Sequence, residues 1–432
     1  MRLVVHPGGA LSGEFEPPGD KSITHRALIL GLLSSRPLEV LGANPGLDCA
    51  ATAAAAQLLG AEVTATRIAG PAQLREPPRA IDCGNSGTTL RLLAGVLAAQ
   101  PFPSVLTGDA SLRSRPMARI MAPLLAMGAR LHAQDGGLAP ITVQGAPLTA
   151  IDWTCPVASA QVESCVLLAA TFAKGRTSVS LPGPARDHSL RMLGAFGAQV
   201  EVEPLAGGGR RASLLGPVRL AGPTRLRVPG DFSSAAFFLA AAATGGEVTA
   251  RGVGLNPTRD GLLEVLERMG AEVVREDLGE ESGEPVGDVT VRGRAALSGV
   301  DVPSGWIPRL IDEVPALAVA AAFARGRTRL TGAGELRHKE SDRIATLVQG
   351  LRGLGIEAAE LPDGLEITGG RPTGGRVDAR GDHRIAMAFA TLATRASGPV
   401  TIDDASSIVT SYPGFIAELS RLGGRIEAVA AA

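Results

Sequence analysis

The chain has 432 residues, 45% of them hydrophobic and 20% charged, with a formal net charge of -1. That balance suits a globular protein of roughly two to three domains with full cores, and it argues against a nucleic-acid or membrane-surface partner. Cys49, Cys83, Cys155 and Cys165 show no Cys-x-x-Cys spacing and read as buried thiols of a reducing compartment, with no metal site. The opening residues lack a signal-peptide pattern and Ala-rich runs such as 237–243 are too short to span a bilayer, so a cytoplasmic location is expected.

The first chemical stretch is Pro18-Gly19-Asp20-Lys21-Ser22-Ile23-Thr24-His25-Arg26. A Pro-Gly turn leads into Asp20, a good helix cap, and an apolar run follows. Lys21 and Ser22 then fall in the first turn, where free N–H groups and the helix dipole favour an anion. Arg26 lies four residues after Ser22 and shares its face. The set makes a seat for a phosphate or carboxylate; a capped surface helix with two solvated cations fits the same letters. The nucleotide P-loop pattern is absent.

A repeat runs through the whole chain. The signature Leu59-Gly60-Ala61 recurs around Gly128, Gly197, Gly270, Gly355 and Gly423, at intervals of 68, 69, 73, 85 and 68 residues. Each copy closes a helical pattern and opens an alternating one, which puts the glycine where a helix end wants a left-handed residue. A second helix start recurs at Asp20, Asn85, Ser159, Asp231, Asp312 and Asp382. One unit reads helix, strand, loop, helix, Gly, strand. Six units form two sets of three, and each set is large enough for its own core. The Gly/Arg-rich segment Gly207-Gly208-Gly209-Arg210-Arg211 lies near the middle, and the turn at Ala221-Gly222-Pro223 is the expected boundary.

Polar function concentrates at the helix starts. Glycines flank Asn85-Ser86 and let backbone N–H groups approach a ligand oxygen. Pro116 suits a first helical position, which puts Arg115 at the cap, aimed across the helix mouth. Ser159 caps an apolar helix, with Gln161 in its first turn. Asp312, set among Leu310, Ile311, Val314 and Pro315, is either a cap or a desolvated base. In Glu335-Leu336-Arg337-His338-Lys339-Glu340-Ser341-Asp342-Arg343, a helix would place Lys339 and Arg343 on one face with Glu340 beside them. Arg384 follows Asp382-His383 into another apolar helix. Six cations, Lys21, Arg26, Arg115, Lys339, Arg343 and Arg384, thus mark helix starts, and Asp312 and Glu340 are the evident proton-transfer groups. The pattern implies a phosphorylated small molecule and acid–base chemistry without a cofactor.

These motifs, in this order, resemble the 5-enolpyruvylshikimate-3-phosphate (EPSP) synthase family over essentially the whole chain. The resemblance implies an α/β fold of two similar domains, each of three βαβαββ units, in an inside-out barrel of the enolpyruvyl transferase type. It implies one domain at 18–221 and another at 1–17 plus 222–432, with substrates bound between them. The implied reaction moves the enolpyruvyl group of phosphoenolpyruvate to the 5-hydroxyl of shikimate 3-phosphate. By the same resemblance, Ser22, Arg26, Ser159, Gln161, Asp312 and Lys339 contact shikimate 3-phosphate. Lys21, Gly87, Arg115, Gln161, Arg343 and Arg384 contact phosphoenolpyruvate. Asp312 is the candidate base, and Glu340 with Lys21 the candidate proton donor. No cofactor, metal, nucleic acid or membrane is implied, and a monomer is expected.

The chain departs from the family pattern in places. Ala185 stands where many members have serine, leaving Arg186 as the candidate replacement for a phosphate contact. His338 replaces a more usual valine. Thr410 stands where one branch has a lysine, so that contact is expected to be missing. Gly87, by contrast, is retained rather than alanine, which leads to the expectation of ordinary sensitivity to glyphosate-type mimics. Two other readings stay open on the letters alone: the UDP-N-acetylglucosamine enolpyruvyl transferase, whose opening pattern and reactive-cysteine loop differ, and a non-catalytic repeat scaffold that binds anionic metabolites.

Overall fold

A computed structural model describes residues 1–429. The contacts divide the chain into two units: Gly19–Val228 with Glu281–Glu284, and Met1–Pro18, Pro229–Glu280 and the chain from Pro285 onward.

The Gly19–Val228 unit holds helices α1 (Lys21–Leu33), α2 (Leu47–Leu58), α3 (Gly87–Leu97), α4 (Ala110–Arg113), α5 (Ala118–Ala126), α6 (Ala160–Ala170) and α7 (His188–Ala195). The other unit holds α8 (Phe232–Ala243), α9 (Gly261–Met269), α10 (Ile307–Leu310), α11 (Val314–Phe323), α12 (Arg343–Gly353), α13 (His383–Ala393) and α14 (Phe415–Arg421). Each unit has three four-stranded sheets of one design, in which the outer strand runs parallel to its neighbour and the next is antiparallel. The strand Arg225–Arg227 lies after the turn at 221–223 and pairs in parallel with Leu38–Leu41, completing the first sheet of the Gly19–Val228 unit. In the other unit, Arg2–His6 pairs with Val400–Asp403 and Arg425–Val429, so the first and last described strands share one sheet.

Two kinds of helix alternate, and composition explains both. α1, α3 and α6 are apolar almost all round and are buried over nearly their whole length; so are α8, α11 and α13. Such helices belong in a core, and small residues let them pack closely. A Cβ on Gly95 of α3 would stand 2.2 Å from the Cys165 carbonyl oxygen of α6, so only glycine permits that approach. Each Phe buried on α8 contributes about 2 kcal/mol of apolar burial. The remaining long helices, such as α9 and α12, are one-sided, with a polar face toward solvent. Where the repeat signature ends them, all six glycines have positive φ, from 76° at Gly355 to 103° at Gly423, as a left-handed terminus requires.

All four cysteines are buried thiols. Burial pushes Cys155 up to about 11 and Cys165 up to about 12, so neither offers a thiolate near neutral pH. Among the described residues, no helix is long and apolar enough to cross a membrane.

Candidate active site

The N-termini of the buried helices carry the chemistry. In the Gly19–Val228 unit, α1 starts as the sequence predicts. The Asp20 carboxylate accepts from the Ile23 N–H at 2.8 Å, leaving Lys21 and Ser22 in the first turn. Lys21 Nζ meets Asp48 Oδ2 at 2.8 Å, with both side chains mostly buried. Arg26 is buried and held from three sides. It donates to the Ser22 carbonyl at 2.9 Å, to Ser189 Oγ at 2.7 Å and to Ser164 Oγ at 3.0 Å. Burial pulls its guanidinium down to about 10, with Asp20 opposing, so it stays charged at neutral pH.

The second start differs by one residue from the sequence expectation. Ser86, not Asn85, caps α3, accepting from the Thr89 N–H at 3.1 Å. The Asn85 side chain instead accepts from Arg115 Nη2 at 2.6 Å and donates to Asp109 at 2.8 Å. Arg115 is not a helix cap either. Asp109 caps the short α4, and α5 begins only at Ala118, so Arg115 sits in the turn between them. α5 has no side-chain cap: it starts behind Met117, whose N–H donates to the Gly137 carbonyl at 2.9 Å.

Gln161 lies in the first turn of α6, capped by Ser159. Its Oε1 accepts from Arg91 Nη1 at 2.7 Å, and its Nε2 donates to Thr88 Oγ1 at 3.3 Å. Arg91 is a further polar residue here, beyond those expected from the sequence. Its position one turn after Gly87, in an otherwise apolar helix, was the available signal.

In the other unit, two expectations about local structure need correction. Asp312 does not cap a helix: it sits inside the 3-10 turn Ile311–Glu313, and α11 starts at Val314 because Pro315 fits only a first turn. Lys339 and Arg343 do not share a helix face. Lys339 ends the 3-10 turn Gly334–His338 with extended backbone, and α12 begins at Arg343 behind the Asp342 cap. They converge all the same, because Lys339 Nζ and Arg343 Nη1 each lie 3.4 Å from Asp312 Oδ1.

Arg343 is buried and surrounded by acids. It donates to Asp382 at 2.8 Å and to Glu340 at 2.6 Å. Burial works against its charge, but Asp382, Glu340 and Asp312 outweigh it and raise the pKa. Asp382 also caps α13, accepting from the Arg384 N–H at 2.9 Å. Arg384 Nη1 in turn donates to the Asp312 carbonyl at 2.9 Å. Beneath them, Glu313 is fully buried and accepts from Ser233, which accepts from Arg259 at 2.8 Å. Thr410 spends its hydroxyl on the Ser407 carbonyl at 2.7 Å.

Each unit therefore gathers its predicted residues at one end of its buried helices: Lys21, Ser22, Arg26, Gly87, Arg115, Ser159 and Gln161 in one; Asp312, Lys339, Glu340, Arg343 and Arg384 in the other. Two triplets of sheets around buried helices, with cations and carboxylates at the helix starts, define the enolpyruvyl transferase class of fold. The structure of the enolpyruvyl transferase NikO from Streptomyces tendae has this fold, with a TM-score of 0.80 at 19% identity over 100% of this chain and 99% of its own.

The sequence profile of EPSP synthase (3-phosphoshikimate 1-carboxyvinyltransferase) matches residues 5–419, and the chain belongs to that family. It is 52% identical to a 3-phosphoshikimate 1-carboxyvinyltransferase of Acidithiobacillus ferrooxidans over 439 aligned residues, 100% of both chains. The corresponding protein of Alkalilimnicola ehrlichii is 49% identical, over 96% of this chain and 94% of its own. The structure of EPSP synthase from Acinetobacter baumannii matches with a TM-score of 0.87 at 42% identity, covering 99% of each chain.

Proposed function

We infer that the chain transfers the enolpyruvyl group of phosphoenolpyruvate to the 5-hydroxyl of shikimate 3-phosphate, releasing phosphate, as a step of chorismate and aromatic amino-acid biosynthesis. The observation that carries this is the family match along residues 5–419, with every cation-bearing helix start inside it. A phosphate-release assay with shikimate 3-phosphate and, separately, UDP-N-acetylglucosamine tests it. Release with the first acceptor alone is the expected result. Release only with the second, or with neither, overturns it.

In this reading Ser22, Arg26, Ser159, Gln161, Asp312 and Lys339 hold shikimate 3-phosphate. Lys21, Gly87, Arg115, Gln161, Arg343 and Arg384 hold phosphoenolpyruvate. Glu340, with Lys21, delivers a proton to the methylene carbon of phosphoenolpyruvate, and positive charge develops at C2. The 5-hydroxyl attacks C2 and gives its proton to Asp312, forming a tetrahedral intermediate. Glu340, left as a carboxylate by the first step, takes a methyl proton back and restores the double bond as the C2–O bond to phosphate breaks. The guanidinium and ammonium groups stabilise the phosphate and carboxylate charges throughout. Support for placing Asp312, Lys339 and Arg343 around the same reactants comes from distance: Lys339 Nζ and Arg343 Nη1 each lie 3.4 Å from Asp312 Oδ1.

The same reading takes the two units, close to the expected sets 18–221 and 1–17 plus 222–432, as the domains and has the chain act as a cytoplasmic monomer. Light scattering of the purified protein checks the last point, and a dimer mass contradicts it.

A further inference from the structure

The glycine–arginine segment near the middle of the chain has a use that the transfer chemistry does not absorb. Gly207 and Gly208 turn with positive φ, at 71° and 76°. At Gly209 a Cβ would stand 2.3 Å from the Leu181 carbonyl oxygen, so glycine lets the strand Arg210–Gly216 start tight against Gly175–Leu181. Arg210 is thereby delivered to the loop that follows Leu181.

Its guanidinium is almost fully used there. Nε donates to Glu163 Oε1 at 2.9 Å and Nη2 to Glu163 Oε2 at 2.5 Å, a forked ion pair. Nη1 donates to the Ala185 carbonyl at 2.6 Å, and Nη2 also to the Arg186 carbonyl at 2.9 Å. The side chains of Arg210 and Glu163 are 13% and 1% exposed. Glu163 is in the first turn of α6, where the helix dipole favours a carboxylate. One arginine thus ties the 185–186 backbone to the helix start that carries Ser159 and Gln161. α6 and the start of α7, which follows the 185–186 segment, supply Ser164 and Ser189, which hydrogen-bond each other at 2.6 Å and both accept from Arg26.

We propose that Arg210 and Glu163 form a positioning pair for the acceptor's phosphate, fixing α6 and the Arg186 segment at the spacing that phosphate requires. This rests on the reading of Arg26, Ser159 and Gln161 as shikimate 3-phosphate contacts. The pair touches no substrate; it acts through the segments it joins. A buried pair of this kind need not add stability, so its purpose is the geometry it imposes.

The test is steady-state kinetics with both substrates varied, together with thermal melting, on Arg210→Lys, Glu163→Gln and the double variant Arg210→Met/Glu163→Met. Arg26→Lys serves as the control for the acceptor site. Lysine keeps the charge but cannot serve both carboxylate oxygens and both carbonyls. The double variant fills the space with apolar atoms and leaves no buried charge unpaired. Arg210→Lys and the double variant should raise KM for shikimate 3-phosphate roughly tenfold, because small misplacements of binding groups are costly. KM for phosphoenolpyruvate should rise less, by no more than about threefold, because Gln161 is the one tied residue read as touching both substrates, and Glu163→Gln should fall between. Equal changes in both KM values, no change in either, or failure of all three variants to fold overturns the proposal, provided Arg26→Lys raises the acceptor KM. An unchanged acceptor KM in Arg26→Lys overturns the site reading itself.

Discussion

Arg343 donates to Asp382 across 2.8 Å, and the two side chains are 1% and 0% exposed. Asp382 has a second duty as the cap of α13. The two duties separate by substitution. Asp382→Asn keeps a good capping side chain but removes the countercharge, leaving Arg343 to Glu340 and Asp312. Asp382→Ala removes both. Breaking a buried pair costs about 3–5 kcal/mol, and losing a cap about 1 kcal/mol more. Urea melts should therefore show both variants destabilised, alanine more so. In both, KM for phosphoenolpyruvate should rise, since Arg343 is the residue displaced. Equal stability of the aspartate and asparagine forms would contradict the argument.

Lys21 offers a cleaner separation of position from charge. Its ammonium is anchored by Asp48 at 2.8 Å. Lys21→Met should lower kcat by roughly 100-fold or more, the loss typical of removing a preorganised charge from a reacting centre. Asp48→Asn keeps the ammonium and loosens it, and a drop of roughly tenfold is expected. Rapid-quench measurement of one turnover distinguishes a slowed chemical step from slowed product release. An Asp48→Asn enzyme with unchanged turnover would show that Lys21 needs no anchor.

These partners were the part of the site that the sequence hid. The helix starts at Lys21, Ala160, Phe232 and His383 were legible, because an Asp or Ser cap before an apolar run is a local signal. So were the six glycine termini. Asp48 was not legible as the partner of Lys21, because sequence spacing says nothing about which helix starts, here those of α1 and α2, are brought together. Arg91 with Gln161 and Glu313 with Ser233 were hidden because each pair joins different repeats. The errors at Asn85, Arg115, Asp312 and Lys339 have another origin. Ser86 and Asp342 are the caps that reach the free N–H groups of α3 and α12, while a short turn precedes the uncapped starts of α5 and α11, and boundaries at that scale shift by a residue or two.

Gly87 gives a steric prediction. A Cβ there would stand 2.8 Å from Arg91 Nη1 and 3.6 Å from Arg115 Nη1. Both are ends of flexible side chains, so Gly87→Ala should fold. Arg91 must move, however, and it holds Gln161 at 2.7 Å. KM for phosphoenolpyruvate should rise several-fold, and glyphosate-type mimics should inhibit less well than they inhibit the unaltered chain. For the unaltered chain an inhibition constant well below the millimolar range is expected. Dose–response curves on both proteins check this, and equal inhibition of the two would remove Gly87 from the donor site.

His25 gives a pH prediction with a defined sign. It lies buried in α1, with Nδ1 hydrogen-bonded to Thr52 Oγ1 at 2.7 Å. Its Nε2 has no hydrogen-bond partner among the described residues. Burial lowers its pKa from 6.5 to about 3, and the Lys21 and Arg26 cations push the same way against Asp20. Between those values the unfolded chain binds a proton that the folded chain refuses. Stability must then rise with pH across that window and fall on acidification. From pH 7 to pH 5 the loss assigned to this one imidazole is about 2 kcal/mol. His25→Asn retains hydrogen-bonding capacity toward Thr52 and does not titrate. Urea melts of both proteins at the two pH values give the difference directly. The gap between them should shift by that amount in the variant's favour at pH 5. A gap independent of pH would mean that His25 takes up its proton in the folded state as readily as in the unfolded chain.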